Sequence, residues 1–326
     1  MRLPRHRFLG LARVAAGVLS ITLSGQCAWA QTTRTIKIVN AGTPGSGSDF
    51  LVRLMAEQIG RTQGLTMVVE NRPGAGTLIG TEAVSRAVPD GNTLLSVAPA
   101  FVTIPHLRKL NYDPLASFEP ICRLATAPNV IVVNGSSLYR TLANLFEAAR
   151  ARPGDLTLAG SGPATAAHLG FEILKRAANV DMTFIPYPGN PPAVNALLGE
   201  HVTSFFGNYS DVAEQLKVGK LRALATALRT RVESLPDVPT IAESGYKDYE
   251  LEFWIGMVAP AKTPKETLSQ LADWFTAAVQ EPEVKAKLAL QSLYPDVACG
   301  AEFGALLRKQ YDEFGRIIHE ANIKAQ

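Results

Sequence analysis

The chain has 326 residues, of which 47% are hydrophobic, and its formal net charge is +3. This length is sufficient for two modest domains. Nothing in so small a charge indicates a nucleic-acid partner.

Residues 1–30 predict a cleaved signal peptide. A basic start precedes a mostly apolar run, and the small–x–small pattern "AWA" lies directly before Gln31. The apolar stretch after Arg13 is too short to span a bilayer, and Gln26 before Cys27 argues against a lipoprotein. Removing the four arginines of this segment changes the charge from +3 to −1 and leaves 296 residues. We therefore expect a periplasmic protein with no membrane span.

The mature chain begins with a strand, a Gly/Ser loop, a helix, a strand, a Pro-Gly turn, a helix and a strand. The β-branched and apolar runs predict the strands, and the 3.6-residue apolar spacing after Asp49 predicts the first helix. The predicted strands are 35–42, 65–71 and 93–98, and "TLIGTEAVSRAV" is the second helix. Strands that alternate with helices are typical of a parallel α/β sheet.

Residues 156–208 repeat this order of elements. A second Gly/Ser loop, "GSGPAT", again precedes a helix, and a second Pro-Gly turn follows the next strand. The separation from Gly47 to Pro73 and from Gly162 to Pro188 is 26 residues in both cases. Although α/β proteins repeat such units in general, the matching loops favour two similar lobes.

The two loops predict an anion site. Glycine and proline before a helix leave its first N–H groups free, and the helix dipole favours negative charge there. Ser46, Ser48, Ser161 and Thr165 add hydroxyl donors, and neither loop contains Lys or Arg. For Asp49 alone, ordinary capping of the helix is the favoured interpretation.

Two other ligand chemistries fit less well. A dinucleotide fingerprint would need a third glycine where Phe50 stands. A hydrolase would need a Gly-x-Ser-x-Gly elbow, which neither loop has. His168 lies seven residues after Ser161, yet a histidine on a Leu- and Phe-rich helix is more often a core residue. We expect no catalytic residues and no cofactor.

The mature cysteines, Cys122 and Cys299, carry no framework signature. An oxidising compartment permits a disulfide between them, but buried free thiols are the favoured interpretation. Neither cysteine has a Cys or His neighbour at zinc-ligand spacing, so we expect no metal site.

Several longer motifs are distinctive, above all "ENRPGAG…PDG" within residues 68–97 and "LPDVPT…E…G" within 234–246. They resemble the Bug family, the periplasmic solute-binding proteins of tripartite tricarboxylate transporters. The resemblance extends from about residue 35 to the C-terminal helix. It implies a two-lobed α/β flytrap fold, with two similar sheets joined by a two-crossing hinge and a small carboxylate held between the lobes.

The same resemblance implies which residues bind the ligand. Two facing loops of the family hold one carboxylate through backbone amides, hydroxyls and water. They correspond here to Thr43, Pro44, Gly45, Ser46, Gly47, Ser48 and Asp49, and to Ser161, Gly162, Pro163, Ala164 and Thr165. Pro99, Ala100, Tyr187 and Asn208 are expected to line the cleft, although Tyr187 could equally pack beneath the second Pro-Gly turn.

The first loop departs from the family pattern. It lacks the usual aromatic residue and is one residue longer, so the preference for aliphatic or aromatic ligands stays open. In the second loop, Pro163 stands where a polar residue or glycine is common.

The chain crossings set the expected lobes. Residues 31–131 and 254–326 would form the first lobe, and 132–253 the second, with crossings at 127–135 and 249–260. The C-terminal helices would complete the first lobe, one of them through a stripe of Leu268, Leu271, Phe275 and Val279. Trp254, at the return crossing, would report closure or pack the hinge.

Together these features predict a monomeric, non-enzymatic solute-binding protein that delivers a small organic acid to membrane permease subunits. An exported hydrolase-like enzyme that uses the loops as an oxyanion site is the first alternative. A ligand-sensing module that docks a sensor protein is the second.

Overall fold

A computed structural model describes residues 34–323, apart from 75, 76, 163, 164, 188, 233, 248, 250 and 321. The predicted signal peptide lies outside these described residues. Every helix in the described part of the chain is too short or too polar to cross a membrane.

The first unit has the predicted order of elements. The elements are β1 (Thr35–Asn40), α1 (Gly47–Gln63), β2 (Thr66–Asn71), α2 (Leu78–Ser85) and β3 (Thr93–Val97). β1 lies between β2 and β3, and both are parallel to it. The carboxyl ends of the three strands therefore meet at one edge.

The short helix α3 (Ala100–Thr103), the long strand β4 (Phe118–Asn134) and helix α4 (Leu142–Ala151) lead to the second unit. Its elements are β5 (Thr157–Ser161), α5 (Ala166–Ala178), β6 (Thr183–Tyr187), α6 (Asn190–Leu198) and β7 (Ser204–Asn208).

In the second unit β5 lies between β6 and β7, both parallel to it. The order of second, first and third strand is thus the same in both units. This confirms the predicted repetition of the unit.

The remaining elements, which follow the second unit, are α7 (Ala213–Lys217), β8 (Leu221–Thr226), β9 (Glu252–Pro260), α8 (Lys265–Gln280), α9 (Pro282–Leu290), β10 (Tyr294–Cys299) and α10 (Ala301–Glu320). The predicted stripe on α8 is confirmed, since Leu271, Phe275 and Val279 are buried and Leu268 packs against the same cluster.

The long strand β4 belongs to two sheets. Its residues from Phe118 to Pro128 pair with β9, and β10 pairs with the same half from the other side. From Asn129 onward, β4 pairs with β7 and β8 instead. The change of partner falls within the predicted outward crossing at 127–135.

Trp254 lies on β9 and is fully buried. Its indole Nε1 donates to Gln310 Oε1 at 2.8 Å, and its ring meets Phe303 edge-on with the centroids 5.5 Å apart. Both partners lie on α10, so Trp254 attaches the C-terminal helix to the sheet.

The two mature cysteines form a disulfide between β4 and β10. The antiparallel register places Cys299 directly opposite Cys122. The favoured interpretation of two free thiols is therefore wrong. Its cause is the sequence separation of 177 residues, because the proximity arises only from the pairing of β10, a strand that the sequence analysis does not include.

Replacing both cysteines by alanine should lower the free energy of unfolding by about 2–4 kcal/mol, since the unfolded chain loses a long closed loop. Urea denaturation followed by circular dichroism measures this change. Reductant should destabilise the wild-type protein by a similar amount and leave the double variant unchanged. Labelling of both cysteines in unfolded, unreduced wild-type protein would show that the bond is absent.

Candidate functional site

Two cavities lie at the carboxyl ends of the parallel strands, which is where open α/β sheets bind ligands. Ala98 lines both of them. The first cavity belongs to the first unit, and its polar lining consists of Asn40, Ser48, Thr77, Thr81 and Ser96. The second cavity has a polar lining of Asn129, Ser161, Thr165, Asn190 and Asn208.

The second cavity is built from strand ends and helix N-termini. Ser161 ends β5 and Asn208 ends β7, while Thr165 is the N-cap of α5 and accepts from His168 N at 3.3 Å. Asn190 begins α6. Because the first N–H groups of a helix have no intrahelical acceptor, the start of α5 favours an anion at this position.

The structure brings together five of the residues that the sequence analysis selects. They line the second cavity, and they come from the turn after β3, from both ends of the second Gly/Ser loop and from the end of β7. These residues are Pro99, Ala100, Ser161, Thr165 and Asn208. Ser48, from the first loop, lines the first cavity instead.

The other predicted residues of the first loop, from Thr43 to Gly47, line neither cavity. The loop closes on itself, because Ser46 N donates to Thr43 O at 3.2 Å. Gly45 has a φ of +78°, as Gly162 in the second loop has a φ of +66°. Both loops thus use glycine for a left-handed backbone.

Tyr187 and the rest of the second loop fall outside the cavities as well. Tyr187 packs against the apolar cluster of β4, β7 and α6, and neither it nor Gly162 is among the residues that line the second cavity. Pro163 and Ala164 lie outside the described residues.

Asp49 holds the first loop in place. Its carboxylate accepts from Gly45 N at 2.9 Å, from Asn71 Nδ2 at 2.8 Å and from Arg53 Nε at 3.0 Å. Burial opposes ionisation, but these hydrogen bonds outweigh it and lower the pKa of Asp49 below its ordinary value. The N-cap of α1 is Ser46 and not Asp49, since Ser46 Oγ accepts from Asp49 N.

Four polar atoms on cavity-lining residues are buried without a hydrogen-bond partner in the described structure. They are Asn40 Nδ2 and Ser96 Oγ in the first cavity, and Asn129 Nδ2 and Asn190 Oδ1 in the second. Buried polar groups in proteins are normally paired with protein atoms or ordered water. These atoms therefore point to a polar ligand or to water in both cavities.

The sequence analysis omits all four residues. Asn40 ends the strand "TIKIVN", and Asn190 stands in the predicted turn "PGNPP". Their positions at a strand end and at a helix start are a signal that could have identified them. Asn129 lies inside an apolar strand, where sequence alone gives no such signal.

No charged residue is among the described residues that line the two cavities. Arg72 directly follows β2 and is a candidate cation for binding an anionic ligand. It instead donates from Nε to Glu70 Oε1 at 2.6 Å. This pairing also lowers the pKa of Glu70. The described lining of both cavities therefore offers neutral donors and acceptors.

His168 lies outside both cavities. Its ring stacks on Phe184 with the centroids 4.1 Å apart, and its side chain is 12% exposed. Burial, assisted by the charge of Lys175, lowers the pKa of His168 to about 4. The expectation that this histidine is a core residue is confirmed.

Comparison with known proteins finds a matching family model and similar relatives of this chain. A family model described as "Tripartite tricarboxylate transporter family receptor" (TctC) matches residues 51–323. A protein encoded in the tcbD-tcbE intergenic region of Pseudomonas sp. strain P51 is 31% identical over 97% of this chain and 96% of its own length. BugT of Bordetella pertussis is 30% identical over 97% of this chain and 96% of its own.

Solved structures of similar proteins support the same assignment. The periplasmic binding protein BugD has a TM-score of 0.75 and 33% identity, over 90% of this chain and 99% of its own. A protein from R. palustris with adipate, Rpa4515, has a TM-score of 0.79 and 28% identity over 90% of this chain and 99% of its own. These likenesses confirm the predicted two-lobed binding-protein fold.

The pKa of His168 gives the protein a pH dependence. The unfolded chain, with an ordinary histidine pKa of 6.5, binds a proton that the folded protein rejects until about pH 4. Stability is therefore full above pH 6.5 and falls as the pH decreases toward 4, by about 2 kcal/mol at pH 4.5. Urea unfolding at pH 7.5 and 4.5 should show this loss of stability in the wild-type protein. Between the same two pH values, a His168→Gln variant should lose about 2 kcal/mol less stability than the wild type.

His201→Gln, which changes an exposed histidine, is the matched control and should keep the wild-type pH dependence. An equal loss of stability in wild-type protein and His168→Gln would contradict the assignment of this effect to His168.

Proposed function

This chain belongs to the TctC family of tripartite tricarboxylate transporter receptors, and we propose that it captures a small organic acid between its lobes and delivers it to a membrane transporter. Family membership confirms the predicted Bug-type solute-binding protein. It also confirms that the chain is a binding protein rather than an enzyme, because the family consists of receptors.

The observation that carries the proposal is the second cavity. Asn129 Nδ2, a buried donor without a partner, shares the cavity with the hydroxyls of Ser161 and Thr165 and with the start of α5. A carboxylate accepts hydrogen bonds from all of these groups, and the dipole of α5 adds about 0.3–1 kcal/mol. The similar R. palustris protein Rpa4515 has a structure with adipate, which is a small dicarboxylate.

We assign the predicted residues to this site as follows. Pro99, Ala100 and Asn208 complete the wall of the second cavity together with Ser161 and Thr165. The loop Thr43–Asp49 shapes the entrance from the first lobe, with Ser48 as its polar contact in the first cavity. Gly162, Pro163, Ala164 and Tyr187 remain proposed ligand-binding residues.

Closure would trap the ligand. Residues 31–131 and 254–326 form the proposed first lobe, and 132–253 form the second. Hinge motion about the two crossings would bring the loops toward each other around the carboxylate. The closed monomer would then dock on the permease subunits of the transporter.

Export to the periplasm requires removal of residues 1–30. Protein purified from the periplasm should begin at Gln31, as intact-mass spectrometry or N-terminal sequencing can determine. Ala28→Leu, which removes the first small residue of the "AWA" pattern, should leave the precursor uncleaved. A mature protein that retains residues 1–30 would contradict the signal-peptide assignment.

The ligand class can be identified by a thermal-shift screen with aliphatic mono-, di- and tricarboxylates, aromatic acids, amino acids and NAD. A ligand at about 100 times its Kd stabilises the folded protein by about 2.7 kcal/mol. A shift confined to carboxylates is the expected result. A shift with NAD alone would contradict the proposal.

Calorimetry on the carboxylate that binds best should then separate hydroxyl from cation recognition. Ser161→Ala with Thr165→Ala should weaken binding by about 1–3 kcal/mol, because each change removes one hydrogen bond. Arg72→Ala should leave the affinity unchanged, since Arg72 pairs with Glu70. The reverse pattern would show that a side-chain cation carries the recognition. Circular dichroism controls for loss of the Thr165 cap.

A further inference from the structure

Asn190 lines the second cavity and carries a buried acceptor without a partner in the described structure. Its side chain lines the cavity at the start of α6. Its Nδ2 donates to Asp211 Oδ2 at 2.5 Å, while its Oδ1 is buried without a partner in the described structure.

Asp211 determines which way this amide faces. It lies in a short 3-10 turn, Tyr209–Asp211, directly after β7. Burial raises the pKa of Asp211 above its ordinary value, and the hydrogen bond from Asn190 opposes this shift. In its carboxylate form Asp211 can only accept hydrogen bonds, so it holds the nitrogen of the Asn190 amide toward itself. The oxygen is thereby left on the other side of the amide. The opposite orientation would place two acceptors against each other.

The polar lining of the second cavity is thus mixed. Asn129 Nδ2 is a donor on a residue that is only 2% exposed, and the hydroxyls of Ser161 and Thr165 can also donate. Asn190 Oδ1 can only accept. A ligand whose polar groups are all carboxylates satisfies the donors but leaves this acceptor unpaired, which weakens binding.

The missing donor on the ligand is an ammonium or a hydroxyl group. A buried ammonium needs a paired negative charge. No acidic residue is among the described residues that line the cavity, and Asp211 lies behind the amide of Asn190. A neutral hydroxyl needs only the acceptor that Asn190 provides.

We propose that Asn190 is a specificity-determining residue that accepts a hydrogen bond from a hydroxyl group of the ligand, so that the protein prefers hydroxy acids to the corresponding simple carboxylates. Asp211 acts as a positioning residue, because it fixes the orientation of the Asn190 amide. The inference rests on the proposed carboxylate-binding function and adds the second group that the ligand must carry.

Matched ligands test this preference. Isothermal titration calorimetry on protein purified from the periplasm would compare succinate with malate, propionate with lactate, and malate with aspartate. In the wild-type protein the hydroxylated member of at least one pair should bind about 10- to 100-fold more tightly than its deoxy partner, because the deoxy ligand leaves a buried acceptor unpaired.

Asn190→Ala should reduce this ratio to near one, because the deoxy ligand then leaves no acceptor unpaired and the hydroxyl of its partner ligand loses its acceptor. Asp211→Asn should lower the ratio as well, since an amide at this position no longer imposes one orientation on Asn190. Asn195→Ala, an exposed asparagine on the same helix, is the matched control and should retain the wild-type ratio. Thermal unfolding verifies that each variant is folded.

The alternative outcomes are distinct. Equal binding of deoxy and hydroxy ligands by the wild-type protein would overturn the role of Asn190 and leave carboxylate binding intact. Tighter binding of aspartate than of malate would overturn it in favour of an ammonium. If folded Asn190→Ala keeps the wild-type ratio, another residue must bind the hydroxyl group. Failure of every carboxylate to bind would reject the proposed function itself, and this inference with it.

Discussion

The register of one strand, β4, determines the geometry of the second cavity. Its first half lies between β9 and β10, and its second half lies between β7 and β8. Asn129 stands at the change of partners, directly opposite Asn208 of β7, while Ala127 two residues earlier pairs with Phe253 of β9. Three lining residues, Asn129, Asn208 and Phe253, thus lie on β4 or on a strand paired with it. A shift of one residue would turn Asn129 to the other face of the sheet and replace its amide by an apolar side chain.

The neutral lining follows from the physical cost of the alternative. An arginine or lysine in a small buried cavity would lose its hydration, and without ligand it would remain an unpaired charge. Amides, hydroxyls and helix N-termini avoid this penalty because the fold already orients them. Their donors compensate a carboxylate through several moderate hydrogen bonds, and such a site releases its ligand more readily than an ion pair does. Release is what a receptor that feeds a transporter requires.

The sequence predicts the framework of this site better than its chemistry. The β-branched runs and the glycines of the two loops are local signals, so the repeated units, α8 and the positions of Ser161 and Thr165 were predictable, whereas Asn208 came from the family resemblance. Asn129 was not predictable, because its place in the cavity depends on the pairing of β4. The helix start was a local signal for Asn190, but the orientation of its amide depends on the contact with Asp211. The disulfide escaped prediction for the same reason: Cys122 and Cys299 are neighbours only through the register of β10. Local sequence patterns predict the helices and strands, whereas contacts between distant residues depend on how the strands pair.

The disulfide limits where the proposed lobes could move against each other. Cys122 ties the first half of β4 to β10, and β9 pairs with that half as far as Pro128. This half is therefore held on both sides and by a covalent bond, so in the proposed hinge motion it would move with the first lobe. Pro128 cannot donate a ladder hydrogen bond, and beyond it β4 pairs with β7 and β8. Bending at this point would change the distance between Asn129 and Pro99. The residue proposed to donate to the ligand would then also lie where the outgoing crossing bends.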